Sequence, residues 1–200
     1  MTLDPDYRDR EFNTATKYTR MAGYIRSIRG EYVRSHARNI LENVNPGVGR
    51  YRYAAALTQH VFEEVEYSVE TPLWRPDFVL DRVQKGDCED HSTLLASLLT
   101  CRSFDIRYVV VDRADGEPGH VMVEVLFEDV DIDDLVDEAR DFYDFGVEEL
   151  CWESGDGGYW LACDGTASGV VGNKYSEYYD SNQYGEINWR GGVRRDYLCP

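Results

Sequence analysis

Lysine is almost missing from this chain. Only three stand among its 200 residues, at Lys17, Lys85 and Lys174, while the other 18 basic residues are arginine. Against them stand 38 Asp and Glu, for a net charge of -17. A surface of that sign repels phosphate, which excludes general nucleic-acid binding. Also missing is any apolar run near the roughly 18 to 20 residues that cross a bilayer, so no membrane span is expected. The opening MTLDPDYRDREF lacks an apolar h-region, and no signal peptide is expected. Cysteine is sparse and odd in number: Cys88, Cys101, Cys151, Cys163 and Cys199 contain no CxxC pair and no zinc-finger spacing. Reduced thiols are therefore expected, with at least one free for chemistry. No internal repeat is evident. What is present suffices for a core: 42% hydrophobic and 13% aromatic residues exclude wholesale disorder.

Few lysines and many carboxylates resemble the composition of proteins from salt-loving organisms, archaea included. Molar salt shortens the Debye length to about 3 Å, so dense like charge no longer opposes folding. The expected setting is a high-salt cytoplasm or a virion. The charge is unevenly spread. Residues 1–60 hold ten Lys/Arg and six Asp/Glu, a net of +4, which leaves -21 on the rest.

Periodicity divides the chain into a helical arm over 1–50, a core over 51–170 and a Tyr/Gly-rich tail over 171–200. Met21, Ile25, Ile28 and Tyr32 form one helical stripe, which Gly30 bends or splits. Val33, Ala37, Ile40, Leu41 and Val44 form a second, stopped by Asn45-Pro46-Gly47. A helix over 51–66 turns Ala54, Leu57, Val61 and Val65 inward. Pro72 and Pro76 mark a loop around Trp74. A helix begins near Cys88 with His91, Leu94, Leu95, Leu98 and Leu99 on its apolar face. Strands over 104–112 and 120–127 form a hairpin. An acidic insert over 128–157 contains a short amphipathic helix on Ile132, Leu135, Val136 and Ala139. It fails as an EF-hand, because Asp134 and Arg140 stand where that loop needs Gly and Glu. The last core strand is Tyr159 to Asp164, and the tail reads as an ordered loop.

The segment Gly86-Asp87-Cys88-Glu89-Asp90-His91 carries the chemistry. A Cys in the first turn of a helix meets free N–H groups and the positive end of the macrodipole, which lower a thiol pKa. A reactive thiol needs a base, and the base needs an orienter. His120 opens one strand and Asp164 ends the next, at intervals of 32 and 44 residues along the chain. A helix packed on an antiparallel sheet can gather all three with the logic of a serine-protease triad. Asp156 is a rival orienter in the Gly-rich loop 154–158. Cys88, His91 and His120 are a competing set of metal ligands, but a fourth is missing. The blander readings are a buried Cys88, a packed core His91 and incidental Cys101, Cys151, Cys163 and Cys199.

GDCEDHSTLLASLL, GHVMVEV and YWLACDGTA resemble the three motif blocks of the transglutaminase-like superfamily, within the papain-like cysteine fold. The helix YRYAAALTQHVFEEVEYS is similar to the one that precedes the Cys block there. The resemblance covers roughly 51–170 and implies an α+β fold, a Cys-bearing helix on an antiparallel sheet. It implies Cys88 as nucleophile, His120 as general base and then acid, and Asp164 as orienter. It also implies the Cys88 N–H as one oxyanion donor, with Trp74 and Gln84 as candidates for the second. The family often has Pro after the Asp, where this chain has Gly165.

The expectation is a cysteine peptidase or amidase acting on a protein or peptide, with no cofactor and no metal. Water resolves the thioester in that reading; an amine would make it a transglutaminase. The alternative is a structural or adaptor component of a large assembly, such as the virion or tail of a halophilic virus. Its motive is the basic arm and the unusual tail, through which protein partners would be met.

Overall fold

In the computed structural model, the residues described are 14–27, 31–42, 44, 49–69, 72–112, 120–143, 150–155, 157–172, 179–181, 187–189 and 192–198. Helix α1 (Thr14–Ser27) is followed by α2 (Glu31–Leu41) and α3 (Arg50–Glu64). The described part of the predicted first stripe is buried at two of its three positions. Met21 and Ile25 are buried, whereas Tyr32 on α2 is 48% exposed; Ile28 and Gly30 lie outside the described residues. On α2, Val33, Ala37 and Leu41 recur every fourth residue and are all buried. The apolar faces of both helices join the core shared with α3 and the central helix, so the basic arm is packed on the body.

Helix α3 buries Tyr51, Ala54, Leu57 and Val61. It stops at Glu64, two residues before the predicted end, because Val65 is extended and Glu66–Tyr67 form strand β1. This pairs in parallel with β2, Lys85–Gly86. The Glu66 N–H reaches the Gln84 carbonyl at 2.9 Å and the Ser68 N–H the Gly86 carbonyl at 2.8 Å, closing the intervening segment into one unit. The predicted loop around Trp74 is partly helical. Pro76 opens the short α4 (Pro76–Phe78), where its fixed φ and missing N–H cost nothing. A π-helical turn follows over Val79–Val83, ended by Gln84 in the left-handed region at φ 48°.

Helix α5 (Cys88–Thr100) is the centre of the molecule. Residues 90–99 are all buried, so the helix has no solvent face, and its apolar stripe understates its burial. Each of its fully buried leucines contributes about 1.5 to 3 kcal/mol of apolar burial. Helices α1 and α3 pack on it, and the sheet lies against it.

The sheet has five antiparallel strands in the order β5-β6-β4-β3-β9. The hairpin of β3 (Ile106–Asp112) and β4 (His120–Glu128) is as predicted, with Ile106 opposite Val125 and Val111 opposite His120. Strand β6 (Gly158–Cys163) pairs with β4 and leaves Asp164 one residue past its end. Two strands depart from expectation. Trp152–Gly155, inside the acidic insert, form β5 beside β6. The tail is no loop throughout: Gly192–Leu198 form β9 against β3, after a small ribbon of β7 (Tyr179–Ser181) and β8 (Ile187–Trp189). The tail thus supplies an edge of the main sheet. Its Arg194-Arg195-Asp196 run hides the alternation that marks a strand.

The insert holds the predicted helix, α6 (Ile132–Phe142), with Leu135 and Ala139 buried. Asp131 caps it by accepting the Asp133 N–H at 3.0 Å. Helix α6 packs beside α3, where Arg52 meets Asp141 at 3.1 Å on the surface. The architecture is α+β, a Cys-bearing helix against an antiparallel sheet. Among the described residues, no helix is long and apolar enough to cross a membrane.

Candidate active site

The start of α5 is over-determined by its own sequence. Asp87 is the N-cap, and its Oδ1 accepts the N–H groups of Glu89 at 3.1 Å and Asp90 at 3.3 Å. Asp90 Oδ2 answers by accepting the Asp87 N–H at 3.3 Å, completing a capping box. Such a cap is worth about 1 kcal/mol. The other oxygen of Asp90 accepts the Trp74 N–H at 2.6 Å, which ties the Trp74 segment to the first turn of α5. Gly86 is required here because a Cβ at that position would lie 2.3 Å from the Asp90 Cβ. Gly86, Asp87 and Asp90 together fix the backbone that presents Cys88.

Cys88 is therefore the first helical residue, and it is 8% exposed. Ser92, one turn on along the same helical face, donates to the Val121 carbonyl at 2.8 Å. That bond fixes α5 against the start of β4. The Val121 N–H, adjacent to His120, interacts with the Cys88 sulfur and favours its thiolate. The helix N-terminus does not leave the thiol acidic, contrary to expectation. Burial pushes its pKa up, and the Glu89 carboxylate and Asp87 push it further, against the Val121 N–H. The Cys88 thiol donates to Glu89 Oε2 at 3.3 Å.

His120 and Asp164 are 5% and 6% exposed. The imidazole Nε2 lies 2.8 Å from Asp164 Oδ2. The other carboxylate oxygen is held by a turn. Asp164 Oδ1 accepts the Thr166 hydroxyl at 2.7 Å, the Thr166 N–H at 3.0 Å and the Ala167 N–H at 3.3 Å. Burial alone would raise the Asp164 pKa. The charge and hydrogen bond of His120, with the two Thr166 bonds, outweigh it and leave the group below its ordinary value. An ionised carboxylate only accepts, so Nε2 carries the hydrogen that lies between the two groups. The Thr166 hydroxyl oxygen is also 3.5 Å from Nε2.

Gly165 and His91 lock this turn to the rest of the site. The His91 ring Nδ1 is 3.0 Å from the Gly165 carbonyl, joining the Cys helix to the Asp164 turn. Burial lowers the His91 pKa, so the ring is neutral and donates there. His91 is the packed histidine that the sequence suggests, and Tyr67 lies beside it with ring centroids 6.0 Å apart. A side chain at Gly165 would meet Val61 Cγ1 at 2.9 Å, so the turn passes where only glycine fits against α3. Among the described residues, no three His, Cys, Asp or Glu groups are arranged to hold a metal ion.

Trp74 is buried beside Phe78, with ring centroids 5.1 Å apart, and its indole Nε1 has no hydrogen-bond partner among the described residues. Gln84 has an exposed side chain, and its backbone is committed to Val79 and Glu66. Asp156 and Cys199 lie outside the described residues, while Cys101, Cys151 and Cys163 form no disulfide. Burial pushes the Cys163 thiol up to about 12, which makes it inert. The roles of Glu89, Asp90 and Thr166 are not apparent from the motif blocks. Only the Asp87-x-x-Asp90 spacing, a capping-box pattern, carried a readable signal.

A helix-borne cysteine beside the first residues of one strand, with a buried His–Asp pair between that strand and the turn after the next, defines a papain-like class of cysteine-enzyme fold. The model of the transglutaminase-like superfamily matches residues 34–164, and the chain belongs to that family. The chain is also similar to a solved structure described as a "Putative Cysteine Protease" from Cytophaga hutchinsonii, at 14% identity and a TM-score of 0.43. The match covers 95% of this chain and 58% of the other. No curated protein shows significant similarity.

Proposed function

We propose that the chain is a cysteine peptidase or amidase with Cys88 as nucleophile, His120 as base and acid, and Asp164 as orienter. The observation that carries this is the 2.8 Å contact between His120 Nε2 and Asp164 Oδ2. With Nε2 turned to Asp164, Nδ1 is the ring nitrogen that takes the thiol proton in this reading. In the first step the Cys88 proton passes to His120 Nδ1 as sulfur attacks the substrate carbonyl carbon. The carbonyl electron pair moves to oxygen, giving a tetrahedral oxyanion. His120 then returns the proton to the amide nitrogen, the C–N bond breaks, and the amine leaves a Cys88 thioester. Water, deprotonated by the same nitrogen, attacks the thioester and releases the acid with the thiol restored.

The raised thiol fits this sequence, because proton transfer is then coupled to attack and no standing thiolate is required. Two donors serve the oxyanion in this reading: the Cys88 N–H at the helix start and the Trp74 indole. The unpartnered, buried Trp74 Nε1 is what favours it over Gln84. An amine in place of water would turn the same thioester to transamidation.

The test is hydrolysis of peptide amides by the full chain, in low and molar salt, with Cys88→Ala as control. Cleavage that disappears in Cys88→Ala, together with loss of iodoacetamide labelling at that position, is the expected result. Unchanged cleavage by Cys88→Ala would remove the nucleophile and the reading with it.

A further inference from the structure

Side chains at successive helical positions do not normally face each other. Cys88 and Glu89 are an exception in this molecule: the thiol donates to Glu89 Oε2 at 3.3 Å. We propose that Glu89 holds the nucleophile as a neutral thiol at rest and selects substrates with a cationic group beside the scissile amide. The selectivity rests on the hydrolase reading above; the masking of the thiol does not.

The geometry favours masking in two ways. A carboxylate that accepts the S–H stabilises the protonated form, and its charge opposes the thiolate that would replace it. Both effects fall on one atom. Asp87, from the cap of the same helix, adds a second negative charge. The groups that face Cys88 from the other elements do little to offset them. Strand β4 offers the Val121 N–H, which favours the thiolate, and His120 precedes that residue in the chain. Strand β1 offers the Tyr67 phenol, which itself senses the charges of Cys88, Asp87, Glu89 and Asp164. Among the described residues, Glu89 and Asp87 are thus the charges that oppose the Cys88 thiolate, and the Val121 N–H is the group that favours it.

The same arrangement makes the mask removable. An ammonium or guanidinium paired with Glu89 withdraws the acceptor from the S–H and cancels the nearest opposing charge. The thiol then gives up its proton more readily when such a substrate has arrived. A carboxylate in the same place would add to the repulsion. The chemical class implied is a peptide or amide carrying a lysine- or arginine-like side chain next to the bond that breaks. The proton moves as before, from Cys88 to His120, so the reaction gains no further reactant.

The first measurement is the rate of iodoacetamide alkylation at Cys88, followed by mass spectrometry across neutral to alkaline pH. Removing an opposing charge at this range shifts a pKa by about one unit or more, a tenfold change in thiolate. Glu89→Gln is therefore expected to alkylate about tenfold faster at neutral pH, with its pH midpoint displaced downward. Glu89→Asp keeps the charge but shortens the reach, and is expected to fall between the two. Alkylation unchanged in both variants overturns the mask. The second measurement compares cleavage of peptide amides with Arg, norleucine or Glu beside the scissile bond. The unmodified chain is expected to prefer Arg over Glu by about tenfold or more, and Glu89→Gln to lose most of that preference. An equal preference in the two forms overturns the selectivity. Faster alkylation in Glu89→Gln with no amide cleaved by any form leaves the mask standing, and removes the hydrolase reading and its selectivity together.

Discussion

Strand β4 carries His120 at its first residue and Glu124 four residues on, and each meets a buried side chain at hydrogen-bond distance. Glu124 pairs with Arg107 of β3 at the adjoining register position. Arg107 also reaches Glu153 of β5 at 3.3 Å and lies 4.2 Å from the centroid of the Trp160 ring. Both members of that pair are buried, with 3% and 0% of their side chains exposed. His120 pairs instead with a carboxylate that follows its strand, and the partner's second oxygen is filled by Thr166 and Ala167. Here the partner of the carboxylate is an imidazole, which has a second ring nitrogen besides the one that meets Asp164. Burial and a close polar contact are common to both. What separates them is the chemistry of the nitrogen group, a guanidinium that only donates against an imidazole with two distinct nitrogens, and burial alone would have missed that distinction.

Exchanging the charges one at a time breaks the comparison cleanly. Asp164→Asn keeps the shape but removes the acceptor that fixes the ring hydrogen on Nε2. Amide cleavage is expected to fall by about 10³ to 10⁴ in kcat, by analogy with tautomer loss in a triad. Thermal unfolding should move by only a few degrees. A variant that lost stability and kept its rate would place this pair with the structural one. Glu124→Gln is the mirror experiment. It leaves Arg107 buried with a weakened set of partners and is expected to cost about 3 to 5 kcal/mol of stability. For a domain of this size that lowers the unfolding temperature by roughly 10 °C. Cleavage measured well below that temperature should be nearly unchanged.

The sequence made much of the site legible, for reasons local to it. Cys88 lies between a cap and an apolar helix, His120 opens a long alternating strand, and Asp164 follows a short one, so pattern alone set their order. The α5 helix, the β3–β4 hairpin and α6 were legible from periodicity of the same kind. What stayed hidden depends on contacts between distant segments. Strand β9 exists because β3 has an edge to pair, and its own run of charges masks the alternation. The early stop of α3 goes with the extended Val65 and the β1–β2 pair. The direction of the Cys88 shift was misjudged because the macrodipole can be read from a helix start, whereas burial and the turn of the Glu89 side chain cannot. Thr166 was invisible for a further reason: a threonine two residues past an aspartate is common, and only the folded turn aims both its donors at one oxygen.

That turn offers the mildest test of what distinguishes the two pairs. If the His120–Asp164 pair works by orientation, the residue that orients the carboxylate should matter to rate and hardly to substrate binding. Thr166→Val keeps the volume and both backbone N–H donors but removes the hydroxyl 2.7 Å from Asp164 Oδ1. One hydrogen bond to a charged group is worth about 1.5 kcal/mol, so kcat is expected to fall about tenfold with KM little changed. The hydroxyl also helps to hold the Asp164 pKa down, together with His120. Its loss moves that pKa upward, so the acidic limb of the pH–rate profile should shift toward higher pH. Thr166→Ser retains the donor and should restore both rate and profile. A Thr166→Val enzyme with its acidic limb in place, or a Thr166→Ser enzyme as slow as Thr166→Val, would show that the residue only fills space. The hydroxyl would then belong with the packing that surrounds Arg107 and Glu124.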